Sequence, residues 1–465
     1  MTDVYEKDFS PATFNKRALL RPLYLPKIGQ KLCTSPYQLC GKTVYLVKPV
    51  HVQTEDLKSD LNIDMEGRRT ELDSLNAVSF GELLDEKSAK KLAKDLSCKI
   101  IPMRWVVNQK EIQLEEGTKS ERKTGVRTRL VVQQVAAGSG AAGKMGFSSN
   151  TPSAEAVKAF LTLGSQPSMG TCTLDASAAF LHSRLPRGER VLVRLPPEIS
   201  FDPNEYQPVY ADLYQALHGL RCASRAWLNM VREATSEHGL MASPTESSVF
   251  AGNFQDSDGS SMWMAILCYV DDLLVVSPDP RAPDAVQRML KTKVAKVKIT
   301  GHIPPNSSGK LEFLGREIIR DEDDLTCLRV RVPSEYLHDL TKDLKATSIP
   351  PNLDKLAEND DSAALDEEAA HRFRANLGRF SWWCQTRSDF LRYAAILSMK
   401  QQNPTIAFEK ALNKVLRYAK ASLHCFQEFR WKDDLGVVTF ADASWGARSV
   451  TGFVITWHGS TIKCA

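Results

Sequence analysis

Several features that would settle the class of this 465-residue sequence at once are missing from it. Its ten cysteines are scattered, with no C-x-x-C pair and no Cys/His neighbours at zinc-ligand spacing. That excludes a zinc finger or ribbon and leaves reduced thiols as the expectation. There is no run of about eighteen uncharged apolar residues, so no stretch reads as a membrane-spanning helix. The opening residues, MTDVYEKDFSPATFNKRALL, are charged where a secretory signal needs an apolar stretch. An intracellular protein with no membrane partner is the expectation. Internal repeats are absent too, which excludes solenoids and propellers.

Charge of one sign is also scarce. Sixty basic residues against 56 acidic ones leave a net charge of +4, too little to argue for a polyanionic partner. The distribution is more informative, because Arg372 to Lys420 holds ten basic residues against Asp389 and Glu409. Such a stretch either tracks a phosphate backbone or is a solvated helix face. The chain is 43% hydrophobic and long enough for two to four domains with real cores.

Residues 1–96 carry no clear motif and read as an extension of unknown role, with Leu57–Leu84 weakly helical. From Lys99, IIPMRWVV and TRLVVQQV form β-branched runs around a polar segment, the pattern of a long hairpin. Helical spacing predicts helices over 154–165, 225–240 and 284–297, and strand texture over 171–175. MWMAILCYV and LLVVS flank Asp271 and Asp272, as two strands joined by a tight acidic turn would. Ser348–Glu368, with seven acids, one lysine and two prolines, suits a solvated linker and a domain boundary. Helices are expected over 371–384, 389–400 and 405–421, then strands in LGVVTFADASWG and TGFVITWHG.

The chemistry lies in carboxylates. Asp175 ends an apolar strand, and Asp271 and Asp272 sit in the strand turn, so three carboxylates can converge on one sheet end. Strand ends suit metal ligation, since the sheet fixes the backbone while the side chains project beyond it. Two magnesium ions about 3.5–4 Å apart, held by such oxygens, activate a 3′-hydroxyl and stabilise a leaving pyrophosphate. Asp-Asp alone is equally what a plain turn looks like. The apolar brackets AILCYV and LLVVS favour a bound partner, because charges at the mouth of a core need one.

These residues resemble a known family. YVDD (269–272) is similar to the catalytic turn of retroelement reverse transcriptases. LDASAAFLH (174–182) resembles the first-aspartate motif of copia-type enzymes, and LYQALHGLRCASRAW (213–227) their S-L-Y-G-L-K-Q-A-P-R-A-W stretch. FLGREI (313–318), TRSDF (386–390) and VLRYAK (415–420) are similar to further landmarks in the same order. The resemblance, to copia-type (Pseudoviridae-like) LTR retrotransposon polyproteins, covers about residues 97–465. His218, Ser224 and Ser388 depart from the usual tyrosine, proline and proline.

The resemblance implies an α+β right-hand polymerase of fingers, palm and thumb with an antiparallel palm sheet, then a connection region and an incomplete ribonuclease H-like α/β domain. The boundaries expected are fingers and palm at 97–278, thumb at 279–349, acidic linker at 350–370, helical connection at 371–430 and truncated ribonuclease H at 431–465. It implies an RNA-directed DNA polymerase with Asp175, Asp271 and Asp272 as catalytic metal ligands, Mg2+ as cofactor and Mn2+ as substitute. Its partners would be an RNA template, a DNA primer and deoxynucleoside triphosphates. Phe180 stands at the steric-gate position, Arg127 and Arg129 where triphosphate contacts fall, and Tyr269 and Val270 where primer and template lie. Asp442, in TFADASWG, takes the place of a ribonuclease H metal ligand, with Ser444 replacing the second acid. The alternative is an inactive retroelement relic that still binds RNA or DNA. Localisation is expected in the cytoplasm, in virus-like particles or in the nucleus.

Overall fold

The computed structural model describes residues 33–48, 55–113, 122–134, 151–186, 188–358, 360–443 and 451–464. Along the chain come a hairpin (β1, Cys33–Leu39; β2, Lys42–Lys48), helix α1 (Glu55–Ala77), strand β3 (Gly81–Leu84) and helix α2 (Glu86–Asp95). The long strands β4 (Ile101–Gln113) and β5 (Arg122–Val132) precede helix α3 (Ala154–Gly164) and strand β6 (Gly170–Ala176). Short strands β7 (Leu192–Arg194), β8 (Ile199–Ser200) and β9 (Tyr210–Leu213) lead to α4 (Ala223–Glu237) and β10 (Met241–Ala242). Then follow β11 (Val249–Gln255), β12 (Ser261–Tyr269), β13 (Asp272–Ser277), α5 (Ala282–Lys291), β14 (Val297–Ile303), β15 (Gly309–Phe313), β16 (Arg316–Asp321) and β17 (Asp324–Arg331). Helices α6 (His338–Thr341), α7 (Asp354–Glu358), α8 (Glu367–Trp383), α9 (Leu391–Ser398) and α10 (Ile406–Lys420) precede β18 (Gln427–Arg430), β19 (Val437–Ala443), β20 (Thr451–Trp457) and β21 (Ser460–Cys464). The class is α+β with mostly antiparallel sheets, as expected of a polymerase fold.

Two compact units emerge, Met1–Ser149 with Ala178–Val231, and Asn150–Ser177 with Arg232–Ala465. In the first, a sheet of order β3-β9-β7-β4-β5 carries the expected long hairpin, with Met103 opposite Val132. Helix α1, in the stretch read as an extension of unknown role, is part of the core: Met65, Leu72 and Leu75 pack in the same cluster as Phe80, Leu130 and Val132. Glu71 accepts from the Leu130 amide at 3.1 Å, satisfying a donor on the outer edge of β5. Gly219 has φ +88, and a Cβ there would lie 2.0 Å from the Val132 carbonyl oxygen, so only glycine fits.

In the second unit, a six-stranded sheet of order β10-β11-β12-β13-β6-β14 is antiparallel throughout. Its middle strands are apolar on both faces and buried, as in Leu273–Val276. Helix α3, capped by Ser153 accepting from the Ala156 amide, buries Val157, Phe160 and Leu161. Arg320, 1% exposed, ties this region together: its guanidinium donates to the carbonyls of Gly164, Gln166, Met169 and Pro304. Its cation sits against the negative end of α3 and the loop leading into β6.

Three expectations change. The helix expected over 284–297 stops at Lys291, and Val297, Ile299 and Ile303 instead pair with β6, where β-branched residues pack well. No unit boundary falls within 350–370. Leu353 is buried there, Asp360 accepts from Ser362 and Thr405, and Ala364 bridges to Thr405, stitching the acidic segment to the start of α10. The division at 349 also fails as a break between sheets, because β18 pairs with β17 (Leu328 opposite Phe429) in the order β15-β16-β17-β18, while β19, β20 and β21 form a sheet of their own.

The basic stretch from Arg372 is largely engaged within the protein. Arg372, Arg387 and Arg392 pair with Glu368, Asp389 and Asp354, while Arg379 donates to the Tyr336 carbonyl. Lys420 donates to the carbonyls of Thr341 at 2.8 Å, Lys342 at 3.0 Å and Leu344 at 2.8 Å, and Arg417 to that of Lys345. These two hold the end of α6 onto α10. Lys420→Met is therefore expected to lower stability by about 1.5–3 kcal/mol, the range for hydrogen bonds to a charged group. Lys414→Met, on the exposed face of the same helix, is expected to stay within about 0.5 kcal/mol. Equal denaturant midpoints for the two variants would refute the capping role.

Candidate active site at an acidic strand turn

Strands β12 and β13 form a hairpin whose turn is Val270 and Asp271, with Tyr269 directly opposite Asp272. Val270 has φ +56, an uncommon conformation for a β-branched residue. Such strain clusters at functional turns and amounts to about 1–3 kcal/mol. On the other side of β13, Asp272 lies opposite Asp175 of β6, and Asp175 in turn lies opposite Lys298 of β14. Directly opposed residues share a sheet face, so Tyr269, Asp272 and Asp175 project the same way. The Ala176 amide donates to the Asp271 carbonyl at 2.9 Å, which fastens the turn to β6.

The carboxylates feel one another. Burial first, then the charges of Asp271 and Asp175, push the Asp272 carboxyl up to about 6. Ser177 donates to Asp175 at 2.9 Å, a partner that no motif singles out. Lys298 likewise escaped sequence reasoning, since it stands in the segment read as the end of a helix and beyond. Among the described residues, no three Asp, Glu, His or Cys side chains are already closed around a point where an ion would sit. The donor set itself suits a hard divalent cation: three carboxylates, one with its ionisation opposed by the others.

The remaining sequence-derived positions lie in several places. Phe180 is in a 3-10 turn (Ala179–His182) of the first unit, against the edge of its core, with its ring edge-on to His218 at 5.1 Å. Arg129 donates to the Nε2 of His218, so the histidine that departs from the family tyrosine is a shared partner of two expected site residues. Arg127 lies on β5 opposite Asn108, and its side chain is outside the described residues. Asp442 is exposed on β19, opposite Gly452.

A carboxyl with a raised folded pKa keeps its proton better folded than unfolded. Ionised Asp272 therefore opposes folding above about pH 6, and this opposition fades as the pH falls from about 6 towards 4. In divalent-free buffer, Asp272→Asn is expected to melt about 2 °C or more above the parent protein at pH 7.5. The difference should shrink near pH 4. Identical melting curves at both pH values would show that the carboxylates do not repel.

With this geometry in place, comparisons with known proteins are informative. The sequence model described as reverse transcriptase (RNA-dependent DNA polymerase) matches residues 90–351. A putative transposon Ty5-1 protein of Saccharomyces cerevisiae is 25% identical over 306 residues, 62% of this chain and 93% of that protein. Two solved structures of foamy viral protease-reverse transcriptase, each in complex with double-stranded DNA, are similar at 11% and 12% identity, with TM-scores of 0.43 and 0.41. They cover 94% and 90% of this chain, which spans 60% of the first and 81% of the second. The chain belongs to the reverse transcriptase (RNA-dependent DNA polymerase) family, in the copia-type lineage of LTR retrotransposons.

Proposed function

We propose that the chain is an active RNA-directed DNA polymerase that extends a DNA primer on an RNA template from deoxynucleoside triphosphates. The observation that carries this reading is the register of the second unit's sheet, which sets Asp175 opposite Asp272 beside the Asp271 turn. Magnesium held by oxygens of these three residues would supply the positive charge that favours attack by the 3′-hydroxyl and departure of pyrophosphate, with manganese as a substitute. The sheet's part is to hold the carboxylates together against their repulsion before the ion arrives. Tyr269, on the same face, is assigned to the primer terminus, and Val270 to the template.

We assign Phe180 to sugar selection, an aromatic ring excluding a 2′-hydroxyl, and Arg127 and Arg129 to the triphosphate, for which paired guanidinium donors are suited. Asp442 is assigned as the first-strand carboxylate of a ribonuclease H-like sheet and has no part in polymerisation.

Primer extension on an RNA template with magnesium tests the reading. Asp175→Asn and Asp271→Asn are expected to reduce extension at least about a thousandfold, on the scale of losing a preorganised electrostatic group. Asp442→Asn should leave it unchanged. Phe180→Val should extend with ribonucleotides much more readily than the parent protein. An unmutated chain that binds primer–template and never extends it would make the inactive relic the correct reading.

A further inference from the structure

Beside the hairpin, the second unit contains a cavity of about 670 Å3, within the range of small-molecule sites. Its walls come from α3, the β15–β16 turn, the end of α8 and strand β21. The charges lining it are unbalanced: one carboxylate, Glu155, against Lys158, Arg316 and Lys463. That carboxylate is already engaged, with Lys463 at 2.9 Å. Lys158 and Arg316 remain, and neither has an ion-pair partner among the described residues. Arg316 donates to the Gln385 side chain, a neutral acceptor, and its guanidinium lies 5.5 Å from the centre of the Trp382 ring. Burial holds both cations below their ordinary pKa; for Lys158 the nearby Cys464 and Glu155 offset part of this, and the charge of Arg316 adds to it.

Three cations around a single carboxylate, two of them partly desolvated and without a direct ion pair, are unfavourable unless an anion joins them. The rest of the lining says what else that anion carries. Trp382 and Tyr269 supply ring surface, and Ser388 supplies a hydroxyl. Rings of this kind stack planar heterocycles, and arginine beside an aromatic face takes phosphate through paired donors. We propose that this cavity binds an aromatic phosphate with the charge and size of a nucleoside monophosphate, through Lys158 and Arg316. The net lining charge of two positive units matches a phosphate dianion. The phosphate is either that of a free mononucleotide or the terminal group of a nucleic-acid strand.

The inference does not rest on polymerisation, so its test is a binding measurement with EDTA present and no primer. Equilibrium dialysis would compare dAMP, a 5′-phosphorylated trinucleotide and uncharged adenosine. Binding of dAMP is expected, weakened at least about tenfold by Lys158→Met and by Arg316→Met, as for loss of a charge-assisted hydrogen bond. Lys158→Arg should restore it, and Asp271→Asn should leave it intact. Thermal unfolding identifies a variant that has lost its fold, in which case the Lys158→Met and Lys158→Arg pair decides. Lysine-dependent binding of the trinucleotide alone would assign the phosphate to a strand end. Three results would overturn the proposal: no binding of either phosphate, equal binding by the Met variants, or adenosine binding as well as dAMP.

Discussion

The pairing of β6 with β13 is the constraint on which the candidate site depends. Side chains alternate along a strand, so a slip of one residue would turn Asp175 away from Asp272 and place Leu174 or Ala176 at the acidic turn. The same slip would exchange the side chains that Leu273–Val276 present to two buried faces, so close packing on both sides enforces the register that the carboxylates require. Like charges oppose this pairing, as the raised Asp272 carboxyl shows. What outweighs the repulsion is the apolar burial of two central strands, each covered by neighbours on both sides. At about 25 cal/mol per Å2 of apolar surface, a few buried leucines and valines offset a repulsion of this kind.

Positive charge serves two different ends in this protein. Arg320 and Lys420 are structural: each gathers several backbone carbonyls at the end of a helix or loop, where the dipole favours a cation. Arg387 does the same for Ser422 while pairing with Asp389. A count of basic residues along the sequence therefore overstates the charge free to meet a phosphate backbone. Lys158 and Arg316 are the contrast, since their surroundings offer rings and neutral polar groups in place of carboxylates.

How much was legible in the sequence follows from how local each feature is. The β12–β13 hairpin, helix α3 and helix α10 announce themselves through periodicity, caps and an acidic turn, all contained in short windows. The end of α5 did not, because Val294 and Val297 fit a helical stripe as well as a strand, and only pairing with β6 decides. The acidic stretch around Asp360 looked solvated because its charge is satisfied by Thr405 and Ser362, residues that composition does not connect with it. Strand β18 was hidden for the same reason: Phe429 finds Leu328 across about a hundred residues of chain. The bond between Arg129 and His218 joins two motifs that were read separately.

Tyr269 links the two electrostatic features of the second unit. It stands opposite Asp272 in the hairpin, and it also lines the cavity that holds Lys158 and Arg316. Tyr269 thus borders both a carboxylate cluster and a cationic cavity, whose fields are of opposite sign. At separations below the Debye length of about 10 Å, such opposition is only partly screened by salt. Each cluster makes the other less unfavourable to maintain, which is how a chain of net charge +4 can hold both without advertising either in its composition. Neutralising one cluster, by an ion at the carboxylates or a phosphate in the cavity, would leave the other's field less opposed. The two sites are therefore expected to strengthen each other when filled, a cation at the carboxylates favouring the phosphate and the phosphate favouring the cation, through charge alone and without any movement of the backbone.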